Sequence, residues 1–146
     1  MKKCTNKGKK LKDKTITHVM RILSIIGFIS IWILSSFSTL PTPKNIILGW
    51  DKLHHAIAFT CLAFTLSYWF PAKNWIFPPF RKTVFISFLL SIFWGVVDEV
   101  HQYFVPGREC SLADLAADSI GVISALALRV YLESRKAKKG KRSSKT

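Results

Sequence analysis

Cysteine is scarce in this chain of 146 residues: Cys4, Cys61 and Cys110 lie far apart, with no CxxC spacing. Neither a zinc-finger type of site nor a disulfide framework is indicated. Cys4 precedes the first apolar run, so it is not a lipoprotein cysteine following a signal peptide. Acidic residues are also few, eight against 22 lysines and arginines, for a formal net charge of +14. There is no Gly-rich phosphate loop, no HExxH pair and no serine at readable spacing from a base. The usual local signatures of nucleotide binding, zinc-dependent hydrolysis and serine hydrolysis are therefore missing. No internal repeat occurs, and biased composition is confined to the lysine-rich ends.

What the chain does have is apolar residues, 49% of the total, gathered into four runs. The runs span about residues 19–37, 53–70, 83–104 and 112–132, and a bilayer-spanning helix needs about 20 residues. This predicts an all-α integral membrane protein of four transmembrane helices. A basic segment (1–18) precedes the membrane domain (19–132), and a basic tail (133–146) follows it as a solvated, disordered end. The first run competes with a cleavable signal peptide ending in S-S-F-S, but such an apolar region is ordinarily about 7–15 residues long. Pro41 and Pro43 close the first run, since proline lacks the amide hydrogen that a helix interior needs. Asp51 is placed to cap the second helix and Ser111 the fourth, where Asp114 completes a capping-box pattern. Trp75, Phe77 and Phe80 suit the headgroup level. Gly95 and Gly121 suit close helix approach.

Four spans put both termini on one side. Basic residues crowd the N-terminal segment, the 71–82 connection and the C-terminal tail, whereas Lys44, Lys52 and Arg108 are the only ones on the opposite loops and helix ends. The positive-inside rule then makes both termini cytoplasmic and turns 38–52 and 105–111 outward, in a multi-pass cell-membrane protein. The lysine runs read as anchors to anionic lipid rather than as a nucleic-acid surface.

This topology gathers the polar residues. At 1.5 Å rise per residue, His55, Glu99, Asp114 and Asp118 all fall within about 10 Å of the outer boundary. Six of the eight acidic residues lie in this region: Asp51, Asp98, Glu99, Glu109, Asp114 and Asp118. Glu99 and Gln102 share one helix face, Asp114 and Asp118 another, and Asp98 can meet His101 or Gln102. Of the neighbours His54 and His55, at most one points inward. Such a layer suits acid–base work, proton handling or cation binding; its bland alternative is an interhelical polar network that only holds helices together.

The motifs D-K-L-H-H, D-E-V-H-Q-Y-F-V-P-G-R and S-L-A-D-L-A-A-D-S-I-G resemble the VanZ-like family, over roughly residues 30–130. These are small membrane proteins named after an accessory factor in teicoplanin resistance. The family's D-K-x-x-H falls on Asp51, Lys52 and His55, its E-x-x-Q on Glu99 and Gln102, and its P-G-R on Pro106, Gly107 and Arg108. Its S-x-x-D-x-x-x-N-x-x-G falls on Ser111, Asp114, Asp118 and Gly121, and Ser35-Ser36 also fit. Two positions depart: Phe59 stands where a tyrosine is frequent, and Asp118 where Asn is common. The resemblance implies a role in the cell envelope or in antibiotic tolerance.

Three functional classes follow. In the first, an outward polar site acts on or binds a lipid headgroup or cell-wall precursor. As an enzyme it would use Glu99 or Asp114 as general base, His55 as acid or proton shuttle and Arg108 as phosphate clamp. Asp51, Lys52, Gln102, Ser111 and Asp118 would complete the binding surface. In the second, the same residues serve recognition alone, sequestering a lipid or antibiotic or modulating a partner. The third, transport of an ion or amphiphile, would need oligomers, because four spans are too few for internal repeats. No cofactor or metal is assigned; a mixed His/carboxylate site of His55, Glu99 and the aspartates lacks a supporting sequence motif.

Overall fold

The computed structural model describes residues 2–37, 50–108 and 110–143. Four α-helices carry it: α1 (Lys2–Ser35), α2 (Trp50–Leu66), α3 (Phe80–Tyr103) and α4 (Leu112–Ser143). Two short 3₁₀ turns, Ser67–Trp69 and Ala72–Trp75, connect α2 to α3. No strand occurs among the described residues. Three helices are long and apolar enough to cross a membrane, over Leu11–Ser35, Phe80–Tyr103 and Leu112–Gly140. The shorter α2 has 17 residues, about 25 Å of helix, and the Ser67–Trp69 turn extends it. Pro41, Pro43, Lys44 and Glu109 lie outside the described residues.

The exposed surface is apolar and much of the interior is not. Ile22, Ile25, Ile29 and Ile33 of α1, Phe85 and Phe93 of α3, and Ile120 and Ile123 of α4 are all exposed. Ser24, Ser67, Ser87, Ser91 and Thr83 are buried. Hydrocarbon solvates isoleucine and phenylalanine well, whereas hydroxyls need protein partners, so this inversion suits a lipid environment. The serines find those partners along their own helices: Ser87 donates to the Thr83 carbonyl at 2.8 Å and Ser91 to the Ser87 carbonyl at 2.9 Å. A smaller apolar core of Phe59, Leu62, Ala63, Val122, Ala125 and Leu126 fills the α2–α4 seam.

Side-chain contacts fix the helix directions. Lys52 meets Asp114, His55 meets Asp118 and Thr60 meets Gly121, so α2 and α4 run parallel. Ser35 meets Asp98 and Ser36 meets His101, so α1 and α3 run parallel to each other. Arg21 donates to the Tyr68 carbonyl at 3.1 Å, which sets α1 antiparallel to α2. The Arg129 guanidinium stacks 3.7 Å from the Tyr68 ring. The early part of α1 and the later part of α4 therefore share one end of the bundle, and the polar cluster occupies the other.

Four local readings are corrected. Residues 133–143 of the tail are helical rather than disordered, because α4 continues to Ser143. Its Ala, Arg and Lys residues are good helix formers, and Glu133 is held by Arg129 at 2.9 Å and Lys136 at 3.0 Å, the i±3 and i±4 neighbours of one helix face. Trp75 does not present its ring to headgroups: it is fully buried, because the 3₁₀ turn folds it against Phe70 and the core, while Phe77 and Phe80 remain exposed. Asp51 sits within the first turn of α2 rather than at its cap, where its charge still meets the helix dipole. The Ser111–Asp114 capping box is replaced by other bonds: the Ser111 amide donates to Glu99 and the Asp114 carboxylate goes to Lys52.

Gly121 sets the distance between α2 and α4. A methyl there would run into the Ala56 carbonyl oxygen and lie 3.0 Å from Thr60 Oγ1. Thr60 itself donates to the carbonyls of Ala56 (2.7 Å) and Gly121 (3.2 Å), pinning the two backbones together. Overpacking of this kind typically costs about 1–3 kcal/mol. Gly121→Ala should therefore lower the thermal midpoint of the purified protein and its membrane level. Gly140→Ala, where nothing lies within 4 Å, should leave both unchanged. Equal behaviour of the two variants in a melting assay would contradict the close α2–α4 seam.

Candidate functional site

The site is built where α2 and α4 begin and α1 and α3 end. Proximity to the first turn of α4 is what positions the Glu99 side chain. Its Oε2 accepts the Ser111 amide at 2.7 Å, an otherwise orphan donor at a helix start. Gly107, with φ of 82°, makes the turn that returns the chain from α3 to α4. One turn into α4, Asp114 accepts from Lys52 Nζ at 2.9 Å. A further turn down, Asp118 Oδ1 lies 3.1 Å from His55 Nδ1, with both side chains buried. His54, by contrast, is exposed and packs its ring edge-on to Trp50, at the border of the cavity described below, so only His55 is buried.

Two networks result. In the first, α2, α3 and α4 contribute Lys52, His55, Glu99, Asp114 and Asp118, as depth counting predicts. In the second, Asp98 is buried with both oxygens engaged: Oδ1 accepts from the Ser35 hydroxyl and Oδ2 from Gln102 Nε2 at 2.9 Å. Gln102 is thus a partner of Asp98, four residues away, rather than of Glu99. Beside it, His101 Nε2 lies 3.0 Å from Ser36 Oγ, and its ring stacks on Trp32 with centroids 3.9 Å apart. Sequence reasoning placed Asp98 in this layer and allowed its pairing with Gln102, but left Asp98, His101 and the Ser35 contact out of the binding and catalytic residues. The available signal was the Ser35-Ser36 pair, because a first helix ending at the outer boundary places it level with the end of the third.

Arg108 and Asp51 are less tightly joined, at 3.9 Å. Arg108 is mostly buried, and its Nε has no hydrogen-bond partner among the described residues. A cavity of about 70 Å³ opens here, its walls including Ser35, Asp51, His55, Asp98, Gln102 and Arg108. It touches both networks and is large enough for a few water-sized groups, not for a lipid tail. Glu99 Oε1 and Asp118 Oδ2 are also buried, with no partner among the described residues. Two sets of three residues that share His55 bring possible ligand atoms within 4.8 Å of one another: Asp51, His55 and Asp114, and His55, Glu99 and Asp118.

Chemically, the arrangement offers a histidine oriented by a carboxylate, a carboxylate with one free oxygen, and a cationic guanidinium at the cavity. Asp114 is the poorer candidate for a base because Lys52 holds it. In the loop beyond α3, loss of hydration raises the Cys110 thiol above its ordinary pKa, and the charge and hydrogen bonding of Glu99 raise it further. The thiolate is the reacting form, so this slows alkylation at neutral pH. In a background with Cys4 and Cys61 replaced by serine, Glu99→Gln should accelerate maleimide labelling of Cys110 at pH 7. An unchanged rate would contradict the placement of Glu99 beside that loop.

A model of the VanZ/LLP1 family matches residues 5–132. Comparison with curated proteins and with solved structures returns no match.

Proposed function

This chain belongs to the VanZ/LLP1 family, and on that premise we propose that its polar cavity faces outward and binds an anionic cell-envelope component, a lipid headgroup or cell-wall precursor. In this reading α2 is the fourth span, both termini are cytoplasmic and the protein contributes to glycopeptide tolerance of the teicoplanin type. The observation that carries it is Arg108: a mostly buried residue on the wall of an open cavity, with no hydrogen-bond partner for its Nε among the described residues. A guanidinium is suited to phosphate or carboxylate, and Asp51 at 3.9 Å is only a loose partner that such an anion can displace. The basic ends support the orientation, since they lie at the opposite end of the bundle from the cavity and suit an anionic cytoplasmic leaflet.

A catalytic version of the same site is supported by the His55–Asp118 contact and the free Glu99 oxygen. Glu99 would serve as general base and His55, oriented by Asp118, would shuttle the proton. Binding and catalysis separate by mutation. With membrane levels matched, Arg108→Ala should abolish any effect of the protein on teicoplanin susceptibility. Glu99→Gln and His55→Gln should abolish it only if the site does acid–base chemistry. Full retention of the wild-type phenotype in Arg108→Ala would contradict the binding site itself.

A further inference from the structure

We propose that His55, Glu99 and Asp118 form a binding site for one divalent transition-metal ion of the zinc or manganese type. The site goes beyond the anion-binding reading and does not depend on it.

The three residues come from three helices, α2, α3 and α4, and all are buried. Their candidate ligand atoms already lie within 4.8 Å of one another. Bonds of about 2.0–2.2 Å to nitrogen and oxygen place ligands about 3–4 Å apart around an ion, so small side-chain rotations close the site. One imidazole with two carboxylates is a mixed N/O set, which suits zinc or manganese and not a thiophilic ion.

A second observation points to a ligand. Each carboxylate spends one oxygen on the protein and leaves the other buried with no partner among the described residues. Glu99 Oε2 takes the Ser111 amide while Oε1 has no partner. Asp118 Oδ1 takes His55 while Oδ2 has none. Beside Asp118 Oδ2 lies Gly95, where a Cβ would come within 3.0 Å, so the wall there is kept bare. Among the described residues, the Lys52 ammonium is taken by Asp114, and the Arg108 guanidinium lies nearer Asp51, at 3.9 Å. Asp98 supplies the contrast, being equally buried but with both oxygens satisfied by Ser35 and Gln102. The bare oxygens thus belong to the two carboxylates that flank His55. Because His55 also lines the cavity, an ion held there has a path to a bound oxygen of a ligand, and its charge would offset the local excess of carboxylates.

The test uses the full-length chain with its three cysteines replaced by serine, purified in detergent, freed of its tag and stripped with EDTA. Calorimetric titration with Zn²⁺ and with Mn²⁺, and the visible absorption of added Co²⁺, report the site without an activity assay. One ion per chain is expected. Glu99→Gln and Asp118→Asn should each weaken binding at least tenfold and alter the cobalt spectrum. Both substitutions are isosteric, and Asn is the residue the family motif carries at the second position. Glu133→Gln, a buried carboxylate at the far end of the bundle, should bind as the wild type does. Absence of stoichiometric binding of all three ions to the wild type would overturn the site. So would unchanged affinity in both Glu99→Gln and Asp118→Asn, or loss confined to Asp114→Asn, which would shift any ion to the other set around His55.

Discussion

Inside a bilayer no water reaches a buried polar group, so each carboxylate that enters one must find its partner on a neighbouring helix. In this chain most of these partners meet at one end of the bundle, whereas Glu133, at the other, pairs within α4. Lys52 with Asp114 and His55 with Asp118 join α2 to α4, Ser111 with Glu99 joins α4 to α3, and Ser35 with Asp98 joins α1 to α3. Each helix is reached by at least one of these contacts. Helix directions, the tight α2–α4 seam and the position of the cavity all follow from which ends must meet.

The remainder of the structure supports that end. Small and hydroxyl-bearing residues allow the helices to approach, as at Gly121 beside Ala56 and Thr60. Isoleucine and phenylalanine are turned outward, where hydrocarbon accepts them as readily as a core does. At the opposite end Arg129 is held by Glu133 and stacks on Tyr68, and Arg21 bonds the Tyr68 carbonyl. These are structural uses of charge, made through ion pair, ring and backbone, although the Arg129 Nε has no hydrogen-bond partner among the described residues. The polar end differs in holding carboxylate oxygens, on Glu99 and Asp118, that are buried without a partner among the described residues, close to a His55 that lines the cavity.

Much of this was legible in the residues. Hydrophobic runs located the helices, and a rise of 1.5 Å per residue was enough to bring His55, Glu99, Asp114 and Asp118 to one depth. The resemblance carried by D-K-x-x-H, E-x-x-Q and S-x-x-D agrees with the family match. Pairings were less legible, because depth says nothing of azimuth. Spacing allowed Gln102 to share a face with Glu99 or to meet Asp98, and only the structure selects Asp98. The capping box failed for a similar reason: Ser111 and Asp114 have the right spacing for each other, but tertiary partners, Glu99 and Lys52, outcompete a local bond. Trp75 was misplaced because interfacial preference is an average, and a 3₁₀ turn can fold one aromatic of a loop inward. Apolar patterning also understated the helices, since α4 continues well past the last apolar residue on the strength of helix-forming lysines and the Glu133 pairs.

The central claim is that the cavity at Arg108 holds an anionic envelope molecule rather than merely joining helices. Native mass spectrometry of the full chain, released gently from membranes in which it was expressed, tests this most directly. The wild type should carry a discrete phosphate- or carboxylate-bearing adduct that disappears in Arg108→Ala of equal fold and abundance. A bare wild-type chain, or the same adduct at the same occupancy in both proteins, would contradict it.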